Sequence, residues 1–159
     1  MNATVREWIS KAEGDYATAE RELCATGTPN LDAVCFHAEQ CIEKLMKALL
    51  IHRGVTPPRS HDLVALDRLL APVCPGWSWP MEELRLLTRA AVDFRYPGDS
   101  ADQTEASESF EIATRMRAKL RSPLDCPATD AALRGVQAPP TQLVATACFS
   151  CRGFVALGP

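Results

Sequence analysis

Apolar side chains recur every three or four positions through most of this chain, the spacing of helices that bury one face. Val5, Trp8, Ile9, Ala12, Tyr16, Ala19 and Leu23 form the first stripe and predict a helix over roughly 5–25, with Thr4 and Glu7 as its capping box. Gly27-Thr-Pro-Asn30 breaks the pattern. Leu31, Val34, Ala38, Cys41, Ile42, Leu45, Ala48 and Leu49 form the second stripe and predict a helix from about Leu31 to Arg53, with Gly54 as its stop. Beside it runs a polar row, His37, Gln40, Lys44 and Lys47, with Glu43 four residues before Lys47 in the favourable ion-pair orientation. The simplest reading of that row is a solvated face.

Thr56-Pro-Pro-Arg59 is an extended linker, because each proline biases its predecessor away from helix. Ser60 is placed to cap a short third helix, His61 to Ala71, which carries Leu63, Leu66, Leu69 and Leu70. Pro80 suits the first position of a fourth helix that turns Leu84, Leu87, Ala91 and Phe94 inward and stops at Pro97-Gly98. Ser100 and Gln103 offer a capping box for a fifth helix reaching about Arg121. No segment of the first 121 residues alternates as a strand does. The expected fold is all-α: an antiparallel up-and-down helical bundle of four main helices and one short one, over residues 1–122. Residues 123–159 have five prolines, four charged side chains and no period of either kind, and read as an irregular tail.

Composition narrows the function classes more than it selects one. A charged fraction of 23% and an apolar fraction of 47% describe a globular protein, and a net charge of −3 excludes a global basic field. Apolar runs stop well short of the roughly 18 residues that would span a bilayer, and charges occupy the place of a signal peptide's apolar region. The expectation is a cytoplasmic protein with no membrane segment. Seven cysteines, with Cys35 and Cys41 on or beside the apolar stripe of the second helix, read as reduced thiols. Cys148 and Cys151 form a lone C-x-x-C, two ligands where a structural zinc site takes four.

Candidate chemistry is sparse. His37, His52 and His61 lack metal-ligand spacing, and no glycine-rich phosphate loop or nucleophile elbow occurs, so no metal and no cofactor is expected. Ser60-His61-Asp62-Leu63 is a compact polar cluster that reads first as a helix cap. Arg85, Arg89, Arg95 and Tyr96 form a second cluster: two guanidiniums one turn apart, with a phenol two turns beyond Arg89. That set suits a phosphate or an RNA backbone through bidentate and stacking contacts, and equally suits a surface salt-bridge row with Glu82, Glu83 and Asp93.

Phe36-His-Ala-Glu-Gln-Cys-Ile-Glu-Lys-Leu-Met-Lys-Ala-Leu-Leu50, Arg53-Gly54, Arg59-Ser-His-Asp-Leu63 and Arg95-Tyr-Pro-Gly98, in that order, resemble a HEPN (higher eukaryotes and prokaryotes nucleotide-binding) domain over roughly residues 4–121. The resemblance implies an antiparallel helical bundle, commonly a homodimer. Its relatives include RNA-cleaving toxins of toxin–antitoxin or defence systems, often encoded beside a minimal nucleotidyltransferase. Active members carry Arg, four to six residues, then His, often followed by x-Tyr. On this chain the Arg matches Arg89 and the Tyr matches Tyr96, but the His position falls on Phe94. Metal-independent RNA cleavage needs a group that takes the 2′-hydroxyl proton and one that protonates the leaving oxygen, and phenylalanine carries no proton.

The resemblance therefore implies a nucleotide or RNA binder without the usual nuclease histidine. Arg85, Arg89, Arg95 and Tyr96 are its expected contacts, with Lys44 and Lys47 as additions. Two alternatives accompany it: an endonuclease using Arg89 with Tyr96 and a non-standard base, His61, and a dimerisation or adaptor module.

Overall fold

The computed structural model describes residues 2–94 and 97–125, and they build five helices and no strand. In chain order these are α1 (Ala3–Leu23), α2 (Leu31–His52), α3 (Leu63–Leu70), α4 (Met81–Asp93) and α5 (Gln103–Asp125). The all-α fold of four main helices and one short helix follows the expected pattern. Of the residues expected as an irregular tail, 123–125 instead continue α5, and those from Cys126 on, including Cys148 and Cys151, lie outside the described residues.

α2 is the central element and packs against each of the other four helices. Its stripe is correspondingly wide: Ile42, Leu45, Met46, Leu49 and Leu50 are all fully buried. Leu63, Leu66, Leu70, Leu84, Leu87, Met116 and Leu120 bring the other helices onto it. Burial of a leucine or isoleucine side chain contributes about 1.5–3 kcal/mol, so this layer carries most of the fold. Cys35, Cys41 and Cys74 are buried free thiols. Tyr16 and Phe110 stack with centroids 5.0 Å apart, and Arg117 donates to Glu13 at 2.9 Å, joining α1 to α5.

Helix ends differ from expectation by one to four residues, and at the N-termini the difference has a capping cause. Asn2, not Thr4, caps α1, its side chain accepting from Val5 N at 2.8 Å. Asp62, not Ser60, caps α3, accepting from Val64 N and Ala65 N, while Ser60 Oγ accepts from Asp62 N one step earlier. Pro80 precedes α4 as its cap residue and contributes no side-chain bond. α5 has its capping box at Asp102 and Glu105, each accepting from the other's backbone N–H at 2.8 and 2.9 Å, rather than at Ser100 and Gln103. α5 also continues beyond Arg121 through Pro123. A proline in a last turn removes one donor, and burial of Leu124 in the core offsets that loss.

At the end of α2, Gly54 takes φ +78°. Its N–H reaches Ile51 O at 3.1 Å, and Val55 N reaches Leu50 O at 2.9 Å. This pair of bonds is a Schellman closure, which needs a left-handed residue after the cap. It turns the chain out of α2 toward the linker that carries His61.

Candidate functional site

α4 presents the first candidate surface. Leu84, Leu87 and Ala91 face the core, so Arg85 and Arg89 emerge on the opposite side, one turn apart. Both side chains are exposed, Arg89 to 75%, and together with Glu82 and Leu86 they line a concavity of about 460 Å³. Their carboxylate partners sit on the same helix: Glu82 lies 3.3 Å from Arg85, and Asp93 lies 3.8 Å from Arg89. Exposed pairs of this kind contribute roughly 0–1 kcal/mol, so neither guanidinium is firmly committed.

Arg89 also borders a second cavity, of about 440 Å³, with Leu86, Ala90 and Phe94 as its apolar part. Phe94 is the cap residue of α4 and is half-buried. The remainder of the wall is strongly acidic, with Asp93 beside Arg89 and Asp99, Glu105 and Glu108 around it. No histidine lines this cavity. Arg95 and Tyr96, expected beside Arg89, lie outside the described residues.

His61, Lys44 and Lys47 belong to a different cluster, and here the structure corrects the reading of a solvated row. Asp15 of α1 covers one end: His37 Nδ1 lies 2.9 Å from its carboxylate, and Lys44 Nζ donates to the same carboxylate. Lys44 also donates to Gln40 at 3.3 Å, and Gln40 donates to Glu39 at 3.0 Å and to Glu43 at 3.1 Å. The linker after α2 covers the other end, where Glu43 accepts from Lys47 at 2.6 Å and from His61 Nδ1 at 2.8 Å. Lys47 and Glu43 are buried, and the Lys47 ammonium lies 5.9 Å from the Trp8 ring centroid.

This is a continuous hydrogen-bonded seam from His37 to His61. Burial pushes the Glu43 carboxyl up, but the hydrogen bonds and charges of Lys47 and His61 outweigh it and hold Glu43 below its usual value. Glu43 and Asp15 were not expected to matter. The one available signal was the Glu43–Lys47 spacing, which a single helix cannot distinguish from an exposed pair.

The structure thus brings Arg85, Arg89 and Phe94 together on α4 and groups His61 with Glu43 and Lys47. Among the described residues, no three His, Cys, Asp or Glu side chains are placed to hold a metal ion, and no helix is long and apolar enough to cross a membrane.

Comparison with known proteins gives a consistent picture. The HEPN domain model matches residues 5–122. Among solved structures, TT1696 from Thermus thermophilus is 22% identical, with a TM-score of 0.60, covering 74% of this chain and 96% of its own. ST0689, described as an archaeal HEPN homologue, is 23% identical with a TM-score of 0.56, covering 76% of this chain and 97% of its own. At these identities the two structures speak for the fold. No curated protein matches the chain.

Proposed function

This chain belongs to the HEPN domain family, and on that premise we propose that it binds RNA or nucleotide through α4 without cleaving it. The observation that carries this reading is the pair Arg85 and Arg89, two exposed guanidiniums lining one concavity and held only by weak pairs on their own helix. A guanidinium fork matches a phosphate bidentately, and two at one-turn spacing can hold a backbone in register. In this reading Arg89 and Arg85 contact phosphate, Arg95 adds charge, and Tyr96 stacks on a base or sugar. Lys47 plays no part, because its ammonium is taken up by Glu43. The binding module is the bundle of residues 1–122, acting in the cytoplasm as a homodimer. A minimal nucleotidyltransferase is its proposed partner in a toxin–antitoxin or defence pair, a feature supported by family membership alone.

Absence of cleavage rests on the cavity beside Arg89. Among the described residues Phe94 lines it and no histidine does. The endonuclease reading would need His61, whose Nδ1 is engaged by Glu43. The adaptor reading has one observation in its favour: Asp93, Asp99, Glu105 and Glu108 oppose a phosphate and would suit a basic segment of a partner protein.

Fluorescence anisotropy with a labelled single-stranded RNA separates these readings. Binding is expected to weaken in Arg85→Ala and Arg89→Ala, and each loss should reduce the slope of log K against log salt by about 0.7, one phosphate contact. RNA binding that is undetectable at low salt, or unchanged in both variants, would sink the proposal. Retention of a basic peptide by the same face would then favour the adaptor.

A further inference from the structure

His61 is held more rigidly than an exposed linker residue needs to be. Its Nδ1 lies 2.8 Å from the Glu43 carboxylate, and that carboxylate is itself fixed. Lys47 donates to its Oε1 at 2.6 Å and Gln40 to its Oε2 at 3.1 Å, and the Glu43 side chain is 4% exposed. The linker is also tied down beside the ring. Ser60 Oγ accepts from Asp62 N at 3.1 Å, and Asp62 then caps α3 through Val64 N and Ala65 N. None of this serves to bury the imidazole, which stays 74% exposed.

The consequence is a defined tautomer. An ionised carboxylate only accepts, so the Nδ1–H points inward and the Nε2 lone pair points to solvent. An imidazole in this form is a nucleophile, and positive charge that reaction places on the ring lies against a buried anion. Lys47 matches that anion, so the pair is neutral as a unit and does not repel an approaching dianion. Asp62, next in the chain, turns its carboxylate to the first turn of α3. His61 borders neither of α4's cavities, so its ring is a group open to a donor rather than one wall of a substrate pocket.

We propose that His61 is a phosphoryl-acceptor site, modified on Nε2 by a donor of the phosphoramidate class, with Glu43 as its positioning residue. The Nε2 lone pair forms the new nitrogen–phosphorus bond as the donor's own nitrogen–phosphorus bond breaks. The departing nitrogen, already protonated in the donor, keeps that electron pair and leaves as ammonia or an amine. The Nδ1 proton stays in its hydrogen bond to Glu43, and the carboxylate balances the positive charge of the phosphoimidazolium ring. Attack through Nδ1 would instead set the phosphoryl group against Glu43, so the geometry selects Nε2. The proposal uses none of α4's side chains and stands apart from the RNA reading.

Treating the full chain with potassium phosphoramidate at neutral pH tests it, with the modified residue read by peptide mapping and the ring position by phosphorus NMR. The other two histidines are internal controls. His37 also has its Nδ1 on a carboxylate, 2.9 Å from Asp15, but is only 27% exposed, and His52 is half-buried at the end of α2. His61 is expected to be labelled first and on Nε2, and His61→Asn should remove that signal. Glu43→Gln combined with Lys47→Met leaves no unpaired charge. It should slow the labelling of His61 by about tenfold or more, the loss of one charged hydrogen bond, and yield both ring isomers. His61 labelled no faster than His37 and His52, or mainly on Nδ1, overturns the proposal. So does a folded double variant labelled at the original rate and on the original nitrogen, which would leave Glu43 a purely structural role.

Discussion

His61 sits over Glu43 with its Nδ1 2.8 Å from the carboxylate, yet the two side chains live in different media: the imidazole is 74% exposed and the carboxylate 4%. A carboxylate only accepts, so Nδ1 carries the proton that faces it, and Nε2 is left toward the open side. Lys47 closes the buried side of Glu43 at 2.6 Å. The pair is retained inside a helix bundle although burying charge is costly, and its stability rests on complete pairing.

Removing Lys47 should therefore be far more damaging than removing His61. Lys47→Met takes away the buried cation and leaves Glu43 only Gln40 and the exposed His61, and should destabilise by about 3 kcal/mol or more. His61→Ala exposes Glu43 to water on a side that is already wet and should cost about 1 kcal/mol or less. The double variant Glu43→Gln with Lys47→Met should recover much of the loss, because no unpaired charge remains. Urea denaturation of the four proteins measures this, and equal losses for Lys47→Met and His61→Ala would refute the assignment of the buried partner.

The same site sets an acid limb. Glu43 is held below its usual value of 4.5, so the folded state binds its proton less readily than the unfolded chain does. Its contribution is thus fully present above that value and is lost as pH falls through the lower, folded-state value. Glu43→Gln should flatten the dependence of stability on pH in the region below about 4.5 and leave the neutral region's slope unaltered. Urea midpoints between pH 7 and pH 3 would show it, and parallel curves for the two proteins would contradict it.

Thiol reactivity should follow burial site by site. Burial pushes Cys41 up to about 12, with the Glu13 charge acting in the same direction, and Cys35 and Cys74 are raised as well. Cys24 is exposed. Because the thiolate is the reacting form, Cys24 should be alkylated by iodoacetamide well before Cys35, Cys41 and Cys74. Peptide mapping by mass spectrometry reads each position separately. Rapid labelling of Cys41 in the folded protein would mean that α2 is not buried as described.

Helix positions were legible in the sequence because each carries its own stripe, and Gly54 announced the end of α2 through its backbone freedom alone. Caps were less legible, since Asn2 competes with Thr4, and Asp62 with Ser60, at neighbouring positions. Which residue wins depends on where the first buried side chain meets the core, a tertiary fact. Lys44 and Lys47 were misread for the same reason: nothing within α2 shows that Asp15 and His61 arrive from other segments to cover them. On α4 the spacing of Arg85 and Arg89 was readable, whereas the acidic wall that α5 contributes through Glu105 and Glu108 was not.

Phe94 offers the most direct test of the candidate site. By the resemblance read from the sequence it falls where active members of the family carry histidine, and it borders the cavity that also holds Arg89 and Asp93. Phe94→His replaces a half-buried ring with one that can take and return a proton near neutrality. Loss of apolar packing against Ala90 should lower stability by about 1 kcal/mol, small enough for the fold to persist. If the site retains its other parts, this variant should gain metal-independent cleavage of single-stranded RNA, on the scale of 10²–10⁴-fold that a positioned proton carrier supplies. The gained activity should disappear on adding Arg89→Ala and persist on adding His61→Ala. Gel analysis of RNA incubated with chelator reads all three variants together. A folded Phe94→His protein that cleaves nothing would mean that Arg89 and its surroundings do not form a cleavage site lacking only its histidine, and the acidic wall would then point to a protein partner.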